Sequence, residues 1–382
     1  MRQIPLFNLN YDETEVQAVT EVIYSKWISS GPKCKELERL FCDFLNVQYA
    51  YAVANCTSAL HLALKVLGIA KDDEVIVPSF TFVATANAVR YVGAIPVFCD
   101  IDSTQDLTLS VESIEKSITS KTKAIIVMHY AGFPCNMDKI MKIAKERHLY
   151  VIEDACHGPL SEYKGVKLGT IGDIGCFSFY ANKNVSAGEG GMVVTNYSKL
   201  GEKVKLLRSH GMTVMSYDKA KGHATGYDVV ELGYNYRMDD IRAALAISQL
   251  KKLSVDIEKR KELREQYINR LAGCSKIIIP FIQHKEYVSN YIFPIILKNS
   301  NIGEREEIRK QLSEAGIQTS VHYPAVHKFG IYREAGSGRN LSVTEYVSDC
   351  EITLPLYGGL EMDDLGYVCD NVIRICEGRG NH

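Results

Sequence analysis

What this sequence lacks narrows its function before any motif is read. It has no excess of charge of either sign: 44 Lys and Arg stand against 46 Asp and Glu, a formal net charge of −2. With a pI near 6.6 there is no electrostatic footprint for a polyanion, so neither nucleic acid nor an acidic membrane surface is expected as a partner. The densest basic run, Lys251–Arg264, is interleaved with Asp256, Glu258 and Glu262 and reads as a solvated helix face. Nowhere do about 18 apolar residues follow one another. The opening MRQIPLFNLNYDETE lacks the uninterrupted apolar stretch of a signal peptide. A soluble, cytoplasmic protein is the expectation.

Other signatures are missing too. The 11 cysteines form no C-x-x-C pair and are spread from Cys34 to Cys376, which reads as free thiols in a reducing compartment rather than a disulfide scaffold. Cys99 in PVFCD and Cys176 in GCFSF lie inside apolar runs, where cysteine behaves as a small hydrophobe. No metal site is expected. Neither G-x-G-x-x-G nor G-x-x-x-x-G-K occurs, which argues against a Rossmann dinucleotide site or a P-loop. There is no internal repeat, low-complexity tract or flexible linker.

What is present is a globular composition, 46% hydrophobic and 24% charged, over 382 residues, longer than one hydrophobic core usually organises. Short β-rich runs at 50–54, 74–78, 95–99, 124–128, 150–154, 175–179 and 191–195 alternate with helical patterns such as Thr57–Leu67 and Met137–Glu146. That alternation predicts an α/β fold, a mostly parallel sheet sandwiched by helices with ligands at the carboxyl ends of its strands. Helical patterns at Asp239–Leu250 and Val255–Leu271 lead to Ile277–Pro280, Tyr291–Leu297 and helices at Gly303–Ala315 and Asp363–Ile375. The expected division is a large domain, 1–250, with an N-terminal helical segment, and a small α+β domain, 251–382, that includes the connector helix.

Four segments carry polar residues at strand ends, where packing alone would not ask for them. In Asn55-Cys56-Thr57-Ser58, Thr57 reads as an N-cap and Ser58 adds a hydroxyl beside free first-turn N–H groups, a place for a phosphate or simply an ordinary cap. Phe82, in PSFTFVAT, lies flat over a planar ring or belongs to the core. The run VIEDACH ends in a carboxylate pair, costly to bury unless a cation such as a protonated pyridine nitrogen faces Asp154. His157 then reaches an adjacent ring oxygen or serves as a structural residue. Lys183, in FSFYANKN before the glycines of GEGG, is poorly placed for solvation; desolvation or a nearby cation would lower its pKa and ready it for Schiff-base formation.

In this order, NCTSAL, PSFTFVAT, EDACH, FSFYANKNVSAGEGG, LRSHGM and LGYNYRMDDIRAALAISQL resemble the DegT/DnrJ/StrS family of nucleotide-sugar aminotransferases, which depend on pyridoxal 5′-phosphate (PLP). The likeness extends to KWISSGP, VHYPAVHK and TLPLY and so covers nearly the whole chain. It implies the aspartate-aminotransferase-like fold, fold type I for this cofactor, and a homodimer with active sites at the interface. Carried over, Lys183 bonds the cofactor aldehyde, Asp154 pairs with the pyridine nitrogen and His157 approaches the ring hydroxyl, where many relatives have glutamine. Phe82 stacks on the ring; Thr57, Ser58 and Ser178 bind phosphate. Asn235 reaches the partner subunit's phosphate, with Arg237 as the alternative, and Ser30, His322 and Tyr323 belong to the substrate pocket. Cys56 stands where many relatives have glycine.

The function so implied is transfer of an amino group from glutamate to a nucleotide-linked keto-sugar, a 4-keto-6-deoxyhexose, through pyridoxamine phosphate (PMP), in deoxyamino-sugar or polysaccharide biosynthesis. Some relatives replace the lysine with histidine and act as dehydratases; Lys183 favours transamination. A 3-keto-sugar aminotransferase, a lysine-dependent dehydratase and a PLP-binding regulator without catalysis stay open.

Overall fold

The computed structural model describes residues 2–214 and 226–378. A seven-stranded sheet runs in the order β1-β9-β8-β5-β4-β2-β3. Its strands are β1 (Tyr49–Val53), β2 (Glu74–Pro78), β3 (Ile95–Cys99), β4 (Thr122–Met128), β5 (Tyr150–Asp154), β8 (Ile174–Ser178) and β9 (Gly191–Thr195). A short ribbon, β6 (Glu162–Tyr163) with β7 (Val166–Lys167), lies between β5 and β8 in the chain. Pairings from β8 through β5, β4 and β2 to β3 are parallel, while β9 is antiparallel to both β1 and β8. The carboxyl ends of β1, β2, β4, β5 and β8 therefore share one edge, and β9 begins there, with Gly191 opposite both Val53 and Ser178.

Because these strands are buried on both faces, they read as near-continuous apolar runs. In β5, Ile152 packs with α3 (Cys56–Val66), α4 (Ala84–Tyr91) and α7 (Ser198–Leu207). Its neighbour Val151 faces Ile114 of α5 (Val111–Ser117) and Ile140 of α6 (Met137–Arg147) on the opposite side. Around β1, β8 and β9 that second side is covered by α2 (Pro32–Leu45) and α8 (Asp240–Leu271).

The two helices expected at Asp239–Leu250 and Val255–Leu271 are one, the 32-residue α8. Between them lie only Lys251, Lys252, Leu253 and Ser254, with no glycine or proline to end the first. Leu253 is buried, and Lys252 is held by Asp12 and Glu15 at the start of α1 (Glu13–Ser25). Residue 250 thus falls inside a helix. Asp240, at its first position, accepts N–H groups from Gly31, Lys33 and Cys34 and so caps α2 from across the fold.

The C-terminal part carries a three-stranded antiparallel sheet of β10 (Ile277–Ile278), β11 (Phe293–Leu297) and β12 (Glu351–Leu354), with helices Ile302–Glu314, Ser342–Cys350 and Met362–Cys376. The first residues of the chain pack here: Ile4 bridges to Ile317 and joins the apolar cluster of Leu312, Ile352 and Leu365. All 11 cysteines are free. Among the described residues no helix is long and apolar enough to cross a membrane, and no group of three or more His, Cys, Asp or Glu is placed to hold a metal ion.

Candidate active site

At the shared strand edge lies a cavity of about 450 Å³. One end of it is built by the turn from β1 into α3. Asn55 is the N-cap: its side-chain oxygen accepts the Ser58 N–H at 2.8 Å and the Ser58 hydroxyl at 2.9 Å. The expected cap, Thr57, is instead the second helical residue. Asn55 is as good a capping type and stands three residues before the N–H it binds, which leaves the Thr57 side chain to line the cavity. Ser58, its hydroxyl taken and only 7% exposed, does not line it. The N–H groups of Cys56 and Thr57 have no intrahelical partner and lie at the positive end of the helix dipole, suited to an anion.

Gly191 makes this turn possible. A Cβ there would lie 2.7 Å from the Asn55 carbonyl carbon. Gly191→Ala is expected to push the turn outward, costing about 1–3 kcal/mol of stability and weakening cofactor retention; equilibrium unfolding and PLP titration of the apoprotein check both.

The next strand ends supply the reacting groups. Asp154 closes β5, is 4% exposed, and is fixed by the Thr85 hydroxyl on Oδ2 at 3.0 Å and the Cys156 N–H on Oδ1 at 3.3 Å. Thr81 is 3.1 Å from Thr85, and with the Thr85 proton given to Asp154 it is Thr81 that donates. The two aromatics of PSFTF divide: Phe80 is in the core, while Phe82 is 58% exposed on the cavity wall. Ser178 closes β8 and lines the cavity, its hydroxyl accepting the Tyr180 N–H at 3.3 Å.

Lys183 brings its amine into the cavity, 4.3 Å from the centre of the Tyr291 ring. The expected lowering of its pKa is not found. Burial alone pulls the amine down, but Tyr291, Cys156 and Asp154 together outweigh it and hold it above its ordinary value. Burial in turn raises both the Tyr291 phenol and the Cys156 thiol above their ordinary values.

His157 is fully buried and outside the cavity lining. Its Nδ1 accepts the Ala131 N–H at 3.2 Å and its Nε2 is 2.8 Å from the Tyr323 hydroxyl, so it reaches the cavity through Tyr323. His322 and Tyr323 both line the cavity. Ser30, beside the start of α2, does not, nor do Asn235 and Arg237. Asn235 is exposed and bridges to Ser209; the Arg237 guanidinium donates to the Ser209 hydroxyl at 3.1 Å. Tyr291, Cys156, Asn182 and Glu189 line the cavity without having been singled out, and Thr85, which orients Asp154, stood unremarked within PSFTFVAT.

These groups fit PLP. An anion site at a helix N-terminus, an aromatic face free of the core, a buried carboxylate and a primary amine meet one cavity, of a size that ligand sites commonly have.

Comparison with known proteins agrees. Residues 10–373 match the DegT/DnrJ/EryC1/StrS aminotransferase family. GDP-perosamine synthase of Escherichia coli O157:H7 is 38% identical over 376 residues, covering 97% of this chain and 98% of that one. PseC of Helicobacter pylori, an aminotransferase involved in the biosynthesis of pseudoaminic acid, superimposes with a TM-score of 0.93 at 30% identity, covering 99% of this chain and 100% of that one. Spr1654, a putative sugar aminotransferase of Streptococcus pneumoniae solved in PMP and PLP forms, gives in its PLP form a TM-score of 0.91 at 28% identity, covering 100% of each chain. With the strand-edge cavity and its lysine, aspartate and exposed phenylalanine, these likenesses establish fold type I, and the chain belongs to the DegT/DnrJ/EryC1/StrS family of PLP-dependent sugar aminotransferases.

Proposed function

We propose that this enzyme moves an amino group from glutamate to a nucleotide-linked keto-sugar, a 4-keto-6-deoxyhexose, in deoxyamino-sugar biosynthesis. The observation that carries the proposal is the convergence of the Lys183 amine, the Asp154 carboxylate and the exposed Phe82 ring on one cavity, in a chain 38% identical to a protein named GDP-perosamine synthase.

When bound, PLP supplies an electron sink for the bond broken at the donor's α-carbon. The chain's residues do the rest. Lys183 bonds the aldehyde carbon and, once released, its Nζ takes the proton from the donor's α-carbon and returns it on the other side of the transfer. Asp154, held by Thr85 and the Cys156 N–H, keeps the pyridine nitrogen protonated. Thr57, Ser178 and the first turn of α3 bind phosphate, with Ser58 holding the turn through Asn55. Phe82 covers the ring face, and His157 and Tyr323 stand on the side of the ring hydroxyl. Asn235, with Arg237 as the alternative, reaches the partner subunit's site in a cytoplasmic homodimer, and Ser30 borders the sugar's approach. The domain division proposed is a cofactor domain and a smaller C-terminal one joined through α8.

The test is a panel of nucleotide-linked 4-keto and 3-keto sugars offered to the PMP-loaded enzyme, following the return of PLP absorbance and the position of nitrogen in the product. A 4-amino sugar is expected. Nitrogen at C3, or a product lacking nitrogen, would overturn the assignment.

A further inference from the structure

Behind the cavity wall three buried side chains form a hydrogen-bonded line that the transfer above does not use. Glu351 and Thr353 are two apart in β12, on one face of the strand, and both are fully buried. Glu351 Oε1 is 2.5 Å from Thr353 Oγ1, and Thr353 Oγ1 is 2.9 Å from His322 Nδ1. The other Glu351 oxygen accepts the His322 backbone N–H at 2.8 Å, which fixes the carboxyl group in place. His322 lines the cavity, and among the described residues its Nε2 has no hydrogen-bond partner.

A threonine hydroxyl has one proton, so the line has a direction. With Glu351 ionised, Thr353 donates to the carboxylate and must accept from His322 Nδ1–H; Nε2 is then a bare acceptor. With Glu351 protonated on Oε1, the acid donates to Thr353, Thr353 donates to Nδ1, and the ring proton sits on Nε2. Passing from the second state to the first, the Nε2 proton leaves to cavity water, the Thr353 proton moves to Nδ1 and the Glu351 proton moves to Thr353. One proton is released, Glu351 gains the negative charge, and the imidazole stays neutral throughout. Burial and the nearby Lys183 hold it neutral by pushing His322 down to about 3.

We propose that Glu351, Thr353 and His322 form a proton relay that sets whether the cavity presents a donor or an acceptor to a substrate oxygen. The charged and titratable groups around it are few. Arg305 and Arg309 face Glu351 from helix Ile302–Glu314, and both pair with Glu306. Tyr130 donates its hydroxyl to the His322 carbonyl at 2.6 Å, Lys183 and His157 face His322 from the turns after β8 and β5, and the Tyr291 and Tyr323 rings lie 6.5 and 5.0 Å from its ring. Burial dominates and raises Glu351 to about 8; the bonds from Thr353 and the His322 N–H and the two arginines pull the other way. The relay is therefore in its donor state at neutral pH, suited to a carbonyl or carboxylate oxygen, and in its acceptor state above pH 8.

The relay does not depend on the identity of the substrate; its use in sugar binding rests on the function proposed above. Holoenzyme carrying 15N-histidine, without substrate, is compared at pH 6.5 and 9.5, with the His322 signals assigned by their loss in His322→Gln. The proton is expected to pass from Nε2 to Nδ1 with a midpoint near 8; a His322 whose nitrogens keep their shifts would overturn the relay. With an accepted sugar, KM is expected to rise about three- to tenfold over that range. Glu351→Gln, whose amide N–H imitates the protonated acid, should keep KM low and flat, Thr353→Ser should keep the step and Thr353→Val should lose it. A Glu351→Gln enzyme with the wild-type KM step also refutes the relay while leaving the transferase intact. Proton exchange without acceptance of any keto-sugar refutes the substrate reading instead.

Discussion

Lys183→Ala is expected to bind PLP without the visible absorbance of the lysine-bound cofactor and to lose turnover by about a thousandfold or more, since one group supplies both the covalent bond and the proton shuttle. The rest of the cavity should survive. The Lys183 amine lies over the Tyr291 ring and near Cys156 and Asp154, while Asp154, Ser178 and the Asn55 turn are each held by hydrogen bonds that do not involve it. Unfolding should therefore change little, which separates loss of chemistry from loss of fold. Single-turnover conversion with glutamate and a keto-sugar, alongside absorbance and PLP content, makes the measurement. Full transamination by the variant would mean that another base serves the α-carbon and would remove Lys183 from the mechanism.

The raised pKa of Lys183 sharpens this expectation. An amine held as ammonium beside Asp154 is a poor nucleophile until it gives up its proton, so bonding the cofactor aldehyde is favoured as pH rises. The sign follows from the neighbours: burial alone would have produced a ready free amine, and Tyr291, Cys156 and Asp154 together oppose it. Entry of the cofactor's own cationic ring beside Asp154 would relieve the ammonium of that partner. Apoenzyme mixed with PLP should therefore form the lysine-bound chromophore faster at pH 8.5 than at pH 7.

How much of this was legible in the chain depends on the range of the cause. EVIVP, IPVFC, YVIED and GMVVT became β2, β3, β5 and β9 residue for residue, because strands buried on both faces write their burial into consecutive positions. Asp154 followed, since it is simply where one such run stops, whereas Ser178 came only from the family resemblance, its run having been read one residue further, to Phe179. What failed depended on choices between neighbours or on contacts across the chain. Asn55 and Thr57 are both good caps two residues apart, and only the turn geometry selects Asn55. Tyr291 lies in a stretch that reads as a strand, with nothing local to mark it as the ring beneath the lysine. His157 is held by Ala131 and Tyr323, 26 and 166 residues away, and no periodicity encodes such pairings. Glu351 precedes the motif TLPLY by two residues, and only the structure shows that it faces His322.

Glu153, one residue before Asp154, carries the second large expectation. Its carboxylate is wholly buried and meets four donors: the N–H groups of Ile171 at 2.7 Å and Gly172 at 2.6 Å on one oxygen, and Gly169 N–H at 2.7 Å and His129 Nε2 at 3.0 Å on the other. The Cys135 N–H points at His129 Nδ1 at 3.2 Å, so that nitrogen accepts and Nε2 is the ring's donor to Glu153. The result is a buried carboxyl group satisfied by four N–H groups, tying the 169–172 turn and the end of β4 to the strand that presents Asp154. Glu153→Ala would leave one buried and two part-buried backbone N–H groups and an imidazole N–H without partners. About 3–5 kcal/mol of stability should be lost, since a buried donor left unsatisfied costs about 1–3 kcal/mol and water reaches the less buried of the four. Glu153→Gln keeps the volume, but its amide NH₂ must face two N–H donors whichever way it turns, so it should recover only part of the loss. Urea unfolding of both variants, with PLP release followed in the same titration, tests the assignment. Because Asp154 shares the strand, the cofactor should leave at lower urea in step with the fold. A Glu153→Ala protein as stable as wild type would show that water can replace the carboxylate, and that the turn does not hold Asp154 in position.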